Sequence, residues 1–146
     1  MKVLMIDDEP SIRLLCRVNL ALEGWTVLEA ENGFKGLDIA RTAQPDVILL
    51  DVMMPGMSGW QVAEALIADE ATATIPIIFL TALASLADQL HGYESGGVEY
   101  VTKPFSPAGL ITVMKNVAAQ TVENTPAWVS QRQTRVTKLR RMVGHE

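Results

Sequence analysis

The chain has 146 residues, 49% hydrophobic and 20% charged, with twelve basic and seventeen acidic side chains and a formal net charge of −5. A chain this long buries roughly 70% of its extended surface on folding, so its core needs neither disulfides nor a structural metal, and the single cysteine, Cys16, excludes an internal disulfide. No apolar run approaches the ~18 residues of a membrane span, and the N-terminus enters the acidic cluster Asp7-Asp8-Glu9 where a signal peptide would stay apolar, which points to a soluble cytoplasmic protein.

The first apolar run, residues 3–6, is too short for a helix, reads as a strand and ends on Asp7-Asp8. Helical spacing follows over 11–22, with Ile12, Leu15, Cys16, Asn19 and Leu20 on one stripe and Gly24 as its stop. Residues 26–29 form a second strand; Asn32 then caps a helix over 33–42 whose inner face carries Phe34, Leu37, Ile39 and Ala40. The third strand, 46–50, is apolar beyond its first residue and runs into Asp51. Gly56 and Gly59 belong to the turn after it, because no glycine-rich loop with Lys-Ser/Thr precedes a helix. Ser58 caps a helix over 59–68 built on Val62, Ala65 and Leu66, with Trp60 partly exposed.

The fourth strand, 75–81, ends in Thr81, and residues 85–95 carry the weakest pattern, that of a short, half-exposed helix. A fifth strand at 100–102 runs into Lys103-Pro104, and a last body helix spans 106–121 with Pro107 in its first turn and Leu110, Val113, Met114 and Val117 inside. Five strand–helix alternations predict an α/β fold: a parallel sheet covered by helices on both faces. Ligands of such sheets gather beyond the C-terminal strand ends. Four of the five strands deliver Asp7-Asp8, Asp51, Thr81 and Thr102-Lys103 to that rim. Two unit charges ~4 Å apart repel by ~4 kcal/mol at an effective dielectric near 20. Either some of the three carboxylates are protonated or a cation is present; Lys103 offers one positive charge, and oxygen-only ligands also suit Mg²⁺.

Four stretches carry a resemblance: Val3-Leu4-Met5-Ile6-Asp7-Asp8-Glu9-Pro10; Asp46 through Gly59, with Asp51 and Met53-Met54-Pro55-Gly56; Ile75-Pro76-Ile77-Ile78-Phe79-Leu80-Thr81-Ala82; and Tyr100-Val101-Thr102-Lys103-Pro104-Phe105. Together they resemble the CheY-like receiver domains of two-component response regulators, of the single-domain type, over residues 1–121, and that resemblance implies a doubly wound sheet in the flavodoxin-like order 2-1-3-4-5. The resemblance implies that Asp51 accepts a phosphoryl group from the phosphohistidine of a sensor histidine kinase or phosphotransfer protein. It implies Mg²⁺ on Asp7, Asp8, Asp51 and the backbone carbonyl of Met53, with Thr81 and Lys103 completing the catalytic set. Thr81 and Tyr100 would be the switch, and helix four, strand five and helix five, about residues 84–121, the face presented to a downstream protein or a second copy. It implies a phosphoacceptor signalling protein with slow self-dephosphorylation and not a turnover enzyme; Met53 and Leu83, two residues beyond Asp51 and Thr81, would hinder the attacking water. An aspartyl-phosphate phosphohydrolase is the distant alternative, since Asp51-Val52-Met53 lacks the second acid of an Asp-x-Asp pair.

Elsewhere the residues read as structural: Cys16 as a small core side chain, His91 and His145 as too isolated for a metal. Residues 1–125 hold seven basic and sixteen acidic side chains, net −9, whereas 126–146 hold Arg132, Arg135, Lys138, Arg140 and Arg141 against Glu146, net +4. After a polar linker at 121–126, Val129, Val136 and Val143 recur seven apart with Leu139 and Met142 near the same stripe, the pattern of a basic amphipathic helix. This extension, 122–146, could pack on its own body near helix five, on a second copy or on a partner protein. Protein contact is the favoured use. Nucleic-acid contact, or a place in a larger transcriptional regulator, is the alternative, because four net charges support only weak, salt-sensitive DNA binding.

Overall fold

The computed structural model describes residues 1–121 and 127–144, with side chains for 1–120 and 134–144. Residues 122–126 of the expected linker, the side chains of Val129 and Arg132, and His145 lie outside the described residues. The strands are β1 (Lys2–Ile6), β2 (Thr26–Ala30), β3 (Val47–Leu50), β4 (Ile77–Thr81) and β5 (Glu99–Thr102). The helices are α1 (Pro10–Leu22), α2 (Gly33–Ala43), α3 (Gly59–Ala68), α4 (Leu86–Glu94), α5 (Pro107–Thr121) and α6 (Ala127–Val143). All strand pairs are parallel, as the alternation predicts, and stand in the order β2-β1-β3-β4-β5 that the resemblance implies.

The sheet is buried on both faces, and successive side chains divide between two cores because strand side chains alternate in direction. Leu4, Ile6, Ile48, Leu50, Ile77 and Phe79 pack with Ala40 of α2 and with Val62 and Leu66 of α3. Val3, Met5, Leu49, Ile78 and Leu80 pack with Cys16 and Leu20 of α1 and with Leu110, Met114 and Val117 of α5. The boundary signals act as expected. Asn32 accepts from the Lys35 N–H, Ser58 and Gln61 form a reciprocal capping box, Gly24 ends α1 with φ +81°, and Pro107 opens α5. β4 starts two residues later than its apolar run, at Ile77, since Pro76 has no N–H to donate to a ladder.

Two inner-face expectations are corrected. Phe34 is 64% exposed, because α2 approaches β1 through Gly36 and Ala40 and faces Val62 and Met57 through Gly33, and a Cβ at Gly36 would collide with the Ile6 side chain. Close approach selects the smallest side chains, which turns Phe34 outward. Leu15 is likewise exposed with Leu14, Val18 and Leu22, while α1 buries Cys16 and Leu20. The basic extension is helical, and Val136 and Leu139 are buried against Tyr93. Its place corrects the expectation of a contact near helix five: α6 lies chiefly along α4 and the start of β5, and only secondarily on α5.

Burial pushes the Cys16 thiol up to about 12, which leaves a thiolate fraction on the order of 10⁻⁴ at pH 8. We expect no reaction of the folded chain with a disulfide reagent such as DTNB over minutes at pH 8, and one equivalent after denaturation; rapid labelling of the native chain would show that α1 does not pack as described.

Candidate functional site

Adjacent strands are tied together where they end. The Asp7 N–H donates to Ala30 O at the end of β2 (3.1 Å), the Asp51 N–H to Ile6 O of β1 (3.0 Å), and the Lys103 N–H to Thr81 O of β4 (2.8 Å). Each functional residue thus takes its height from a neighbouring strand. Leu50 stands opposite Phe79 and Thr81 opposite Thr102, so Asp51, Thr81 and Lys103 emerge within a residue or two of one level.

Asp7 and Asp51 are 1% and 4% exposed, while Asp8 reaches solvent. One carboxylate oxygen from each of the three lies within 4.8 Å of the other two. The Lys103 Nζ donates into this cluster, at 2.8 Å from Asp7 Oδ2, 3.2 Å from Asp51 Oδ2 and 3.2 Å from Glu9 Oε1. Backbone N–H groups orient the carboxylates. The Val52 N–H donates to Asp51 Oδ1 at 2.7 Å and the Met53 N–H at 3.4 Å, and the Glu9 N–H donates to Asp7 Oδ1 at 2.9 Å.

Burial raises the pKa of Asp7, the Lys103 and Glu9 hydrogen bonds oppose it, and the nearby Asp51 charge adds to the rise. Burial alone would push the Lys103 ammonium down; its bond to Asp7 and the charges of Asp51 and Asp7 outweigh that and hold it firmly protonated. The pocket is a set of oxygen donors with one fixed cation, more negative than that cation can balance. Such a donor set fits a hard divalent ion.

Thr81 is fully buried, and its hydroxyl accepts from the Leu83 N–H at 3.4 Å. Tyr100 does not leave its hydroxyl in water: it donates to Leu83 O at 2.7 Å, and the ring packs between Phe79 (5.9 Å between centroids) and Tyr93 (6.5 Å) over Gly92. Met53, two residues after Asp51, is 60% exposed, and Leu83, two residues after Thr81, is half-buried against the core. His91, isolated in sequence, stacks on Trp60 at 4.1 Å.

Gly59 does more than close a turn. Its N–H donates to Val52 O at 2.8 Å, and a Cβ there would drive into the Asp51 carbonyl oxygen. The first turn of α3 therefore lies directly on the backbone of Asp51. Two further contributors escaped sequence reasoning. Glu9 gives Lys103 a third acceptor, for which its place beside Asp7-Asp8 was a faint signal. The Arg13 guanidinium donates to Asp7 O at 2.6 Å across one and a half turns of chain, for which there was none.

The sequence and the fold match those of known proteins. The sequence model of the family described as "Response regulator receiver domain" matches residues 3–115. The chain belongs to the response-regulator receiver family. The receiver is 39% identical over 120 residues to the "DNA-binding dual master transcriptional regulator RpaA" of Synechocystis sp., covering 82% of this chain and 50% of that one. It is 43% identical to the "Phosphate regulon transcriptional regulatory protein PhoB" of Pseudomonas aeruginosa, covering 82% and 52%. The receiver chain thus spans about half the length of these curated relatives. It is also 36% identical to "Protein PilH" of Pseudomonas aeruginosa, covering 81% of this chain and 98% of that one. Among solved structures it superimposes on the chemotaxis protein CheY4 of Vibrio cholerae with a TM-score of 0.76 at 34% identity, covering 80% of this receiver and 97% of that chain. Among the described residues no helix is long and apolar enough to cross a membrane.

Two outcomes test the site's physics. Gly59→Ala must push α3 off the Asp51 backbone, and we expect a loss of about 1–3 kcal/mol in urea unfolding at unchanged slope. Because the folded-state pKa of Asp7 is raised, its ionised form costs the fold stability, a cost absent at low pH that grows as pH rises through that pKa. Asp7→Asn keeps an oxygen for the Glu9 N–H and removes the charge. Without metal at pH 7 it should raise the melting temperature by about 2–4 °C, with a smaller gain at pH 4; a lower melting temperature at pH 7 would contradict the reading.

Proposed function

We propose that this receiver is a phosphoacceptor: Asp51 takes a phosphoryl group from a phosphohistidine of a sensor histidine kinase or phosphotransfer protein. The observation that carries this is Lys103 bonded to both Asp7 and Asp51, because it sets a cation beside the one buried carboxylate at the end of the central strand β3. In the reaction an Asp51 oxygen attacks phosphorus, the P–N bond breaks, the imidazole leaves with its electron pair and is protonated, and an acyl phosphate forms. Val52 and Met53 N–H groups hold the carboxylate plane. Lys103 offsets the charge gathering on the transferred oxygens, and the Thr81 hydroxyl donates to one of them.

Asp7, Asp8, Asp51 and the Met53 backbone carbonyl would hold Mg²⁺, which when bound neutralises phosphoryl oxygens that Lys103 alone cannot. The receiver unit runs from 1 to 121, and 122–146 is an appendage to it. Drawing Thr81 toward the phosphoryl group shifts Leu83, whose carbonyl holds the Tyr100 hydroxyl, and so changes the surface formed by α4, β5 and α5. That surface would bind a downstream protein or a second copy of the chain, in the cytoplasm. Met53 and Leu83 exclude water and slow dephosphorylation, which makes the protein a signalling element and not a turnover enzyme.

The names of RpaA and PhoB favour a second reading for the whole protein, in which this receiver is the phosphoacceptor part of a transcriptional regulator. Both readings share Asp51. Incubation with acetyl phosphate and Mg²⁺ followed by intact-mass analysis should give one phosphoryl adduct, lost in Asp51→Asn and lost when EDTA replaces Mg²⁺. Repeated turnover of small phosphomonoesters would instead mark a phosphohydrolase.

A further inference from the structure

The basic helix α6 takes no part in phosphoryl transfer, yet it makes a specific contact. Val136 and Leu139, three residues apart and therefore on one face, are buried against Tyr93 of α4, with Leu86, Leu90 and Tyr100 around them. Arginines flank the apolar pair. The Arg135 guanidinium lies over the Tyr93 ring at 5.6 Å, donates to Val98 O at 2.8 Å and pairs with Glu99 at 2.7 Å, while Arg140 pairs with Glu94 at 3.3 Å. The basic extension thus meets acidic residues of the body around an aromatic anchor.

The covered surface is not remote from the carboxylate site. Tyr93 touches Tyr100, and Tyr100 is bonded to Leu83 O, two residues beyond Thr81. The seat is open to competition because the groove between α4 and α6, lined by Leu86, Gln89, Tyr93, Leu139 and Met142, still reaches solvent.

We propose that α6 is a cis-acting occupant of the α4–β5 surface, excluding from it any other helix of the same chemistry: two apolar residues three apart flanked by arginines. The proposal rests on the phosphoacceptor reading only for what the surface serves; the occupancy stands without it. Five residues separate α5 from α6, and a tether that short sets a local concentration on the order of millimolar. An outside helix of micromolar intrinsic affinity is then held off until α6 lets go. The partner this surface fits is a basic amphipathic helix, the α6 of a second copy included, and each such partner must displace the resident one.

The test uses the full chain without phosphoryl donor, so its outcome is independent of whether Asp51 is phosphorylated. A fluorescent peptide of residues 127–144 is titrated with the wild-type chain and with Leu139→Glu, which releases the resident helix without touching the sheet. The expected result is at least ten-fold tighter peptide binding by Leu139→Glu, weakening as salt rises. Equal binding by both chains, or binding by neither, overturns the proposal. In a second measurement Gln89→Cys/Met142→Cys, one thiol on each side of the groove, is treated with a short bismaleimide in an otherwise native chain. A linked monomer is expected. A linked dimer would mean that α6 docks on another copy, and no link that it does not dock; either sinks the idea.

Discussion

A single ammonium group joins the ends of three strands. Lys103, at the end of the edge strand β5, reaches Asp7 after β1 and Asp51 after β3, two carboxylates almost removed from water. Without that cation the pair would be two like charges facing each other in a poorly solvated pocket, and one of them would take up a proton. Such a cluster is not there for stability, since buried ion pairs seldom exceed their desolvation cost. It holds Asp51 in place beside a cation, and the fold tolerates the cost because the strand-end hydrogen bonds and the Gly59 contact leave these groups no other place to go.

The same net charge of −5 hides two kinds of electrostatics. At the strand ends the charges are buried and hydrogen-bonded, so their interaction is strong and barely screened. Where α6 meets the body, Arg135–Glu99 and Arg140–Glu94 are partly solvated, and pairs of that kind contribute on the order of 0–1 kcal/mol each. The apolar cluster of Tyr93, Val136 and Leu139 holds α6 in place, and the arginines set its register. Tyr100 belongs to both regions, through its hydroxyl at Leu83 and its ring against Tyr93.

Much of this was legible in the chain. Asp7, Asp51, Thr81 and Lys103 each follow an apolar run, so reading strands from those runs and placing ligands at their ends brings together residues up to 96 positions apart. The structure added what depends on distance between elements. Phe34 and Leu15 lie on helical stripes that periodicity assigns to the core, but the small residues Gly36 and Ala40 decide which face of α2 can approach β1. Glu9 and Arg13 join the site through side-chain reach, which no spacing rule encodes. The hydroxyl of Tyr100 has a partner because α4 passes over β5 at Gly92, a crossing invisible in a run of four strand residues.

The sequence by itself determined the order of elements, the parallel sheet and the set of polar residues at its rim, because these follow from local periodicity and from the right-handed crossover rule. It also determined that the last twenty-one residues form a chemically different, basic segment. Only the tertiary structure decided that Lys103 bonds Asp7 and Asp51 together with Glu9, that Gly59 rests on the Asp51 backbone, and that α6 seats chiefly on α4 and the start of β5 and only secondarily on α5. Those outcomes depend on distances of a few ångströms between elements far apart in the chain. Charge and hydrophobicity establish that an acidic body and a basic helix can attract; the position of one aromatic side chain, Tyr93, establishes where they meet.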